Sequence, residues 1–225
     1  LESAANGIIA GNFGASGQSC VAGSRVIVHQ SIAKDLLKLI QDKSKSIQVG
    51  DPLKQETNLG PLCTPKQIET IETTIKKSVE QGGEIIFGGK KIEGEGNYFE
   101  PTLIHCPTQN IETLKIEMFG PVISLIEFEK EEQAIEIANN SKYGLGSGLF
   151  TKDLARAHRV SQEIKAGICW INTYRAISPI APFGGFNQSG YAREAGKHSI
   201  LDYTRTKTTW INISDSPMKN PFVMR

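Results

Sequence analysis

Cys20 is the residue with the strongest case for chemistry. It lies in a run of small residues, 14–24, between a predicted helix over 3–13 and a predicted strand over 26–29. Small residues let the backbone turn tightly and approach a ligand, as a nucleophilic thiol and an adjacent oxyanion site require. Residue type alone favours a structural thiol, so the surrounding motif has to decide between the two interpretations.

Glu117 and Phe119 form a second candidate pair, placed just before Gly120 and Pro121. On an extended segment, side chains two positions apart project to the same side. A carboxylate can accept hydrogen bonds from two hydroxyl groups, and an aromatic ring can restrict a flat ligand. Without further context, a solvated glutamate beside a core phenylalanine is the simpler interpretation.

The cysteine spacing predicts free thiols rather than a metal cluster. The four cysteines are far apart and form no CxxC pair, so we expect no metal site and a reducing, cytoplasmic setting. They are Cys20, Cys63, Cys106 and Cys169.

Composition predicts an ordinary globular protein. The 225 residues are 39% hydrophobic and carry a formal net charge of +1, which provides no electrostatic footprint for nucleic acid or an anionic membrane. No apolar run reaches the ~18 residues of a membrane span, and no signal peptide opens the sequence.

The order of elements predicts an α/β fold. Strands, among them 84–87 and 122–128, alternate with helices, of which one starts at the N-cap Thr64 with Pro65 in its first turn and another is capped by Ser31. This alternation predicts a mainly parallel sheet covered on both faces, a three-layer αβα arrangement.

Six motifs along the chain, in the same order, resemble the signatures of the aldehyde dehydrogenase superfamily. They are GQSCVAG over 17–23, TNLGPL over 57–62, NYFEPTL over 97–103, EMFGPV over 117–122, YGLGSGLFT over 143–151 and PFGGFNQSG over 182–190. The resemblance covers roughly residues 1–213. It corresponds to the catalytic, C-terminal part of such an enzyme.

The resemblance implies a role for each candidate residue. Cys20 is expected to attack an aldehyde carbonyl, with its own N–H as half of the oxyanion site, and to form a thioester after hydride transfer to NAD or NADP. Glu117 would bond the nicotinamide ribose hydroxyls, and Phe119 would pack beside them. Ser178 and Phe183 would line the aldehyde pocket.

The resemblance also implies how the chain is organised. Residues 1–205 correspond to the catalytic domain and 206–225 to an oligomerisation strand and tail. The segment 207–213 is expected to join the sheet of a second copy, with an edge strand inside its own chain as the alternative. No nucleotide-binding domain and no upstream general-base glutamate precede Cys20, so we expect a fragment that binds NAD or NADP poorly and turns over little.

Two other functions remain open on the sequence. An enzyme that passes the acyl group to coenzyme A, or an esterase, would use the same acyl-cysteine step. A catalytically silent assembly module would leave Cys20 unreactive toward iodoacetamide. Selective labelling of Cys20 distinguishes that module from the enzymes.

Overall fold

The computed structural model describes residues 1–223; residues 224–225 of the predicted C-terminal tail lie outside this range. Five α-helices and six strands make up the regular structure of the described residues. In chain order they are α1 Glu2–Phe13, β1 Arg25–His29, α2 Gln30–Ser44, α3 Pro65–Glu80, β2 Glu84–Phe87, β3 Thr102–His105, β4 Val122–Phe128, α4 Glu131–Asn139, β5 Gly146–Leu149, α5 Leu154–Glu163 and β6 Ile168–Ile171.

The main sheet has the strand order β1-β4-β3-β2. Strand β4 pairs in parallel with β1 on one side and with β3 on the other, whereas β2 runs antiparallel at the edge. A second, two-stranded sheet consists of β5 and β6, also paired in parallel. The predicted mainly parallel sheet is confirmed.

Two hydrophobic clusters cover the two faces of the main sheet. One contains Leu36 and Ile40 of α2 against Leu125 of β4, and the other contains Ile71 of α3 and Ile137 of α4. Neighbouring residues of β4 alternate between the clusters because successive side chains of a strand point to opposite faces. Helices on both faces of one sheet form the predicted αβα layers.

Local sequence signals explain where the helices begin. The Thr64 side chain accepts a hydrogen bond from the Gln67 N–H and Pro65 occupies the first turn, as predicted for α3. The predicted cap of α2 is wrong by two residues. Its N-cap is His29, whose Nδ1 accepts from the Ser31 N–H at 3.2 Å, so the imidazole takes the role expected of the Ser31 hydroxyl.

The segment 207–213 has no regular secondary structure and pairs with no strand within residues 1–223. The expected edge strand inside the chain is therefore not formed. Three of its large apolar side chains are almost fully exposed, at 93% for Trp210, 78% for Ile211 and 92% for Ile213. The backbone of this segment makes no strand pairing, and no helix or strand covers its apolar side chains within residues 1–223.

Candidate active site

The site forms at the amino ends of two adjacent parallel strands. The loop that carries Cys20 leads into β1 at Arg25, and the segment that carries Glu117 and Phe119 leads into β4 at Val122. Because β1 and β4 are parallel neighbours, the two leading segments arrive at the same end of the sheet. Topology therefore brings together residues that lie about a hundred positions apart.

Backbone contacts hold the two segments against each other. A Cβ added to Gly17 would overlap the carbonyl group of Gly120, so the two backbones are in direct contact. The Ser124 N–H of β4 donates to the Ser24 carbonyl at 2.8 Å, and the Gly23 N–H donates to Gly11 of α1 at 3.1 Å. We refer to this contact between residues 17–24 and 117–124 as the seam.

Cys20 lies in a turn of this loop with its thiol exposed. In the backbone hydrogen bonds of residues 1–223, the N–H groups of Gln18 and Ala22 donate to the loop itself, whereas the Cys20 N–H is not used as a donor. An accessible thiol and an available N–H on the same residue can serve attack on a carbonyl and stabilisation of the resulting oxyanion.

The cysteine loop is braced from its other side by the turn around Gly60. Ser16, which has a positive φ of 56°, donates its hydroxyl to the Gly60 carbonyl at 2.9 Å. The Gln18 side chain accepts from the Cys63 N–H at 3.0 Å, and its amide lies 3.6 Å from the Cys63 sulfur. These bonds fix Ser16 and Gln18, shortly before Ser19 and Cys20.

Glu117 and Phe119 are exposed and line one small cavity. The prediction that they lie on an extended segment is wrong. Phe119 has φ +42°, in the left-handed region, which is unfavourable for an aromatic residue by about 1–3 kcal/mol. The buried Met118 anchors the segment, since its carbonyl accepts a hydrogen bond from Gln67 of α3. The first turn of α3 thus fixes the backbone between Glu117 and Phe119.

The cavity at the seam has a volume of about 20 Å³. One side is formed by residues of α1 and the cysteine loop and the other by the segment before β4. The lining residues are Asn12, Gly17, Ser19, Ala22, Ser24, Glu117, Met118, Phe119 and Gly120. Cys20 thus lies between two lining residues of the loop, Ser19 and Ala22.

Ser178 and Phe183, the predicted aldehyde-pocket residues, lie on a different segment. Neither belongs to the lining of the seam cavity over the range that the structure covers. Phe183 forms an isolated antiparallel bridge with Glu194, with N–H to carbonyl distances of 2.8 and 2.7 Å. Ser178 is half-buried, and its carbonyl accepts from the Ala181 N–H at 3.1 Å.

Tyr174 connects this second segment to the cysteine loop. Its ring lies so close to Gly11 and Gly23 that a Cβ on either glycine would approach it to 2.8 and 3.3 Å, and it packs on Trp170 with ring centroids 4.9 Å apart. Burial raises the pKa of Tyr174 to about 12. The neutral phenol therefore acts as a spacer that holds the chain before Ser178 against the loop.

The cysteine loop ends at a positive charge, Arg25, the first residue of β1. Its guanidinium donates to the Ile137 and Ala138 carbonyls at 3.0 and 2.9 Å, near the C-terminal end of α4. Burial lowers the pKa of Arg25, yet the carbonyl ends of a helix favour a cation there. The cysteine loop is thereby anchored to α4 at the residue where it enters β1.

The other cysteines differ from Cys20 in environment. Cys106 is 1% exposed, and burial raises the pKa of its thiol to about 11. Cys63 is exposed and Cys169 is half-buried on β6. Of the two exposed thiols, only Cys20 lies within the seam.

Several residues of the site were not identified from sequence. Asn12 bonds to Val122 of β4, Gln18 bonds from the cysteine loop to Cys63, and Tyr174 packs against Gly23 of that loop, so each has a partner distant in the chain. Gln18 was part of a recognised motif without an assigned role. The signal for Asn12 was present, as a polar residue between the apolar stretch Ile8–Gly11 and Phe13.

The described residues contain neither a metal-binding cluster nor a membrane-spanning helix. No group of three or more histidine, cysteine or acidic side chains lies in a position to hold a metal ion. Among the helices of residues 1–223, none combines the length and apolar character needed to cross a lipid bilayer.

Comparison with protein-family models gives a match over residues 1–209, to the aldehyde dehydrogenase family. The chain is 47% identical to a (Z)-2-((N-methylformamido)methylene)-5-hydroxybutyrolactone dehydrogenase of Acinetobacter baylyi, covering 100% of this chain and 46% of that protein. It is 39% identical to a betaine aldehyde dehydrogenase of Cereibacter sphaeroides, covering 99% of this chain and 46% of that protein. The chain thus spans less than half the length of these relatives.

Solved structures give the same result. An NAD⁺ complex of an aldehyde dehydrogenase from Bacillus cereus superposes with a TM-score of 0.91 at 36% identity, covering 95% of this chain and 44% of that one. PnpE from Pseudomonas sp. WBC-3, in complex with nicotinamide adenine dinucleotide, superposes with a TM-score of 0.92 at 42% identity, covering 98% and 46%.

Proposed function

The chain belongs to the aldehyde dehydrogenase family, and we propose that it is the cysteine-bearing catalytic half of an enzyme that oxidises aldehydes to carboxylic acids. The observation that carries the proposal is the seam: an exposed Cys20 lies in a loop whose backbone contacts the segment of Glu117 and Phe119. This contact supports the proposal that Cys20, as the nucleophile, and Glu117 with Phe119, as the cofactor-binding pair, form one site.

In the proposed mechanism, the Cys20 thiolate forms a bond to the carbonyl carbon of the aldehyde. The negative charge moves to the carbonyl oxygen, where the Cys20 N–H, unused in the described backbone bonds, donates to it. Loss of hydride from the same carbon leaves an acyl group on the sulfur. Water then cleaves this thioester, which releases the acid and frees the thiolate.

The residues opposite Cys20 suit a nicotinamide nucleotide. The exposed Glu117 carboxylate can accept from two ribose hydroxyls, and the partly exposed Phe119 ring offers an apolar surface beside them. NAD or NADP, when bound, takes up the hydride released from the substrate. Glu117 and Phe119 would therefore orient that group, while Cys20 holds the substrate.

The direct test replaces Cys20 and Cys63 separately by serine in the complete gene product. We expect Cys20→Ser to lower kcat for aldehyde oxidation at least about 10³-fold, because the nucleophile is lost. Cys63→Ser should retain activity, since this second exposed thiol lies outside the seam. Retained oxidation by Cys20→Ser would overturn the proposal, and acyl transfer to added coenzyme A would redirect it to an acylating enzyme.

The length of the relatives supports a second part of the proposal, that these 225 residues act together with a nucleotide-binding half. The chain covers 46% of the two curated relatives described above. We expect the 225-residue chain alone to produce NADH from aldehyde only at background rates. Sustained NADH production by the isolated chain would contradict this expectation.

The aldehyde pocket is proposed to lie on the Tyr174 side of Cys20. The ring of Tyr174 packs beside Gly11 and Gly23, so the chain that continues to Ser178 starts next to the cysteine loop. Phe183 would supply an apolar wall further along that segment. Replacing Phe183 by alanine should raise KM for aldehydes with long apolar chains more than for acetaldehyde, as measured with the complete gene product.

Self-association is proposed to use the segment 207–213. Its backbone groups are unpaired within residues 1–223, and Trp210 and Ile213 are more than nine-tenths exposed. Addition of this segment to the sheet of a second copy would pair its backbone groups and cover its apolar side chains. Thr209→Pro, which removes one backbone donor, should shift the protein toward the monomer in light scattering, whereas Asn220→Pro, in the tail beyond the segment, should not.

A further inference from the structure

One buried polar atom beside the seam lacks a partner. Asn12, in the last turn of α1, is 0% exposed, and its Nδ2 donates to the Val122 carbonyl of β4 at 3.2 Å. Its Oδ1 is buried without a hydrogen-bond partner in the described part of the chain. Leaving an acceptor buried and unpaired typically costs about 1–3 kcal/mol.

The orientation of this amide is fixed by chemistry. The Val122 carbonyl can only accept a hydrogen bond, so the NH₂ group of Asn12 has to face it. A rotation that exchanged the two amide ends would place two acceptors against each other. Oδ1 therefore faces away from β4, and it requires a donor from another source.

The seam cavity can supply that donor. Asn12 is one of its lining residues, together with the half-buried Ser19 and Ser24 of the cysteine loop. Its volume of about 20 Å³ exceeds the roughly 10–15 Å³ that one water molecule requires. A space of this size fits one water molecule and does not enclose a ribose ring.

We propose that a single bound water occupies the seam cavity, donates a hydrogen bond to Asn12 Oδ1, and connects Asn12 to the polar lining of the cysteine loop. Asn12 is then a positioning residue. Its Nδ2 ties the end of α1 to the start of β4, and the water ties the same amide to the loop that carries Cys20. This inference is independent of the proposed reaction, because it concerns how the seam is held together.

The first test is a high-resolution crystal structure of the complete gene product. We expect one ordered water about 2.7–3.2 Å from Asn12 Oδ1. A protein donor bonded directly to Oδ1, or a closed cavity without water, would overturn the proposal.

The second test uses two side chains of nearly equal shape at Ala22, which lines the cavity. Ala22→Val fills the space with methyl groups and displaces the water, so Oδ1 stays unpaired. Ala22→Thr fills the same space but supplies a hydroxyl that can donate to Oδ1. We expect the valine variant to melt about 2–4 °C below the threonine variant.

In a dry apolar site the order would be reversed, because burial of a hydroxyl is unfavourable compared with burial of a methyl group. Equal melting temperatures, or a more stable valine variant, would therefore contradict the proposal. Repeating the pair in an Asn12→Leu background gives the matched control. The preference for threonine should disappear there, since the acceptor is gone.

The positioning role is measured at Cys20 itself. We expect Ala22→Val to change the iodoacetamide alkylation rate of Cys20 at least about threefold, and Ala22→Thr to restore the unsubstituted rate. Ser44→Ala, which removes a buried hydroxyl bonded to Ile40 within α2, should leave that rate unchanged. Rates that follow stability alone across these variants would reject the positioning role.

Discussion

Gly17 and Gly120 are in direct backbone contact, and this contact joins the cysteine loop to the segment before β4. Gly17 also has φ +72°, in the left-handed region that other residues adopt only with strain. Both the missing side chain and the backbone angle are therefore required at this position.

We predict that Gly17→Ala separates the seam and destabilises the fold by at least about 3 kcal/mol, since it combines overlap with the Gly120 carbonyl and left-handed strain. Urea denaturation provides the measurement. The matched control is Gly82→Ala, with φ +96° and no atom within 4 Å of the added Cβ. This control should cost only the strain, about 1–2 kcal/mol. Equal losses would mean that the Gly120 contact is unimportant.

Arg25 should be sensitive to replacement by lysine. A single ammonium cannot reproduce the two guanidinium bonds to Ile137 and Ala138, so we expect Arg25→Lys to lower the free energy of unfolding by about 1–3 kcal/mol. Arg159→Lys is the control, because Arg159 pairs with Glu131 on the surface, where ion pairs contribute little. A tolerant Arg25 would show that α4 is held by its apolar face alone.

The cysteines should differ in their reaction with iodoacetamide near pH 8. Cys20 and Cys63 are exposed and should be modified, whereas Cys106 should stay unmodified in the folded protein. Burial holds the pKa of Cys106 near 11, so its thiol remains protonated until the pH approaches that value. Peptide mass spectrometry after timed labelling checks the order. Early modification of Cys106 would show that the region of β3 opens readily.

Glu117 and Phe119 should affect the cofactor more than the aldehyde. In the complete gene product we expect Glu117→Gln to raise KM for NAD or NADP, or to lower kcat, about tenfold, because a carboxylate acceptor is lost. Phe119→Leu should act in the same direction but less strongly. Glu136→Gln, an exposed position on α4, serves as the charge control. An effect confined to KM for the aldehyde would assign the pair to the substrate instead.

Local sequence patterns predicted the elements of the fold better than the contacts between them. The start of α3 followed from Thr64 and Pro65, since both signals act within one turn of the helix. His29 was missed as the cap of α2 because an imidazole can serve as an acceptor only in a suitable tautomer and rotamer. The segment 207–213 has a strand-like composition, but composition does not determine whether a partner strand is present.

The candidate site residues were proposed from motifs, whereas their spatial arrangement required the topology. Cys20 and Glu117 were identified from the residues around each of them. That their segments meet at one end of the sheet depends on the parallel pairing of β1 with β4, in which Arg25 lies opposite Ser124. The role of Asn12 likewise depends on a contact distant in the chain, since its partner Val122 begins β4. Such long-range pairings are not encoded in any short window of sequence.

The parallel pairing of β1 with β4 has a consequence for the order of folding. A chain that has formed its helices but not this pairing has an exposed thiol with no opposing segment. The pairing closes a loop of about a hundred residues, which is a slow, non-local event. Assembly of the candidate site should therefore coincide with completion of the sheet, so that partly folded molecules carry an exposed Cys20 without the opposing segment of Glu117 and Phe119.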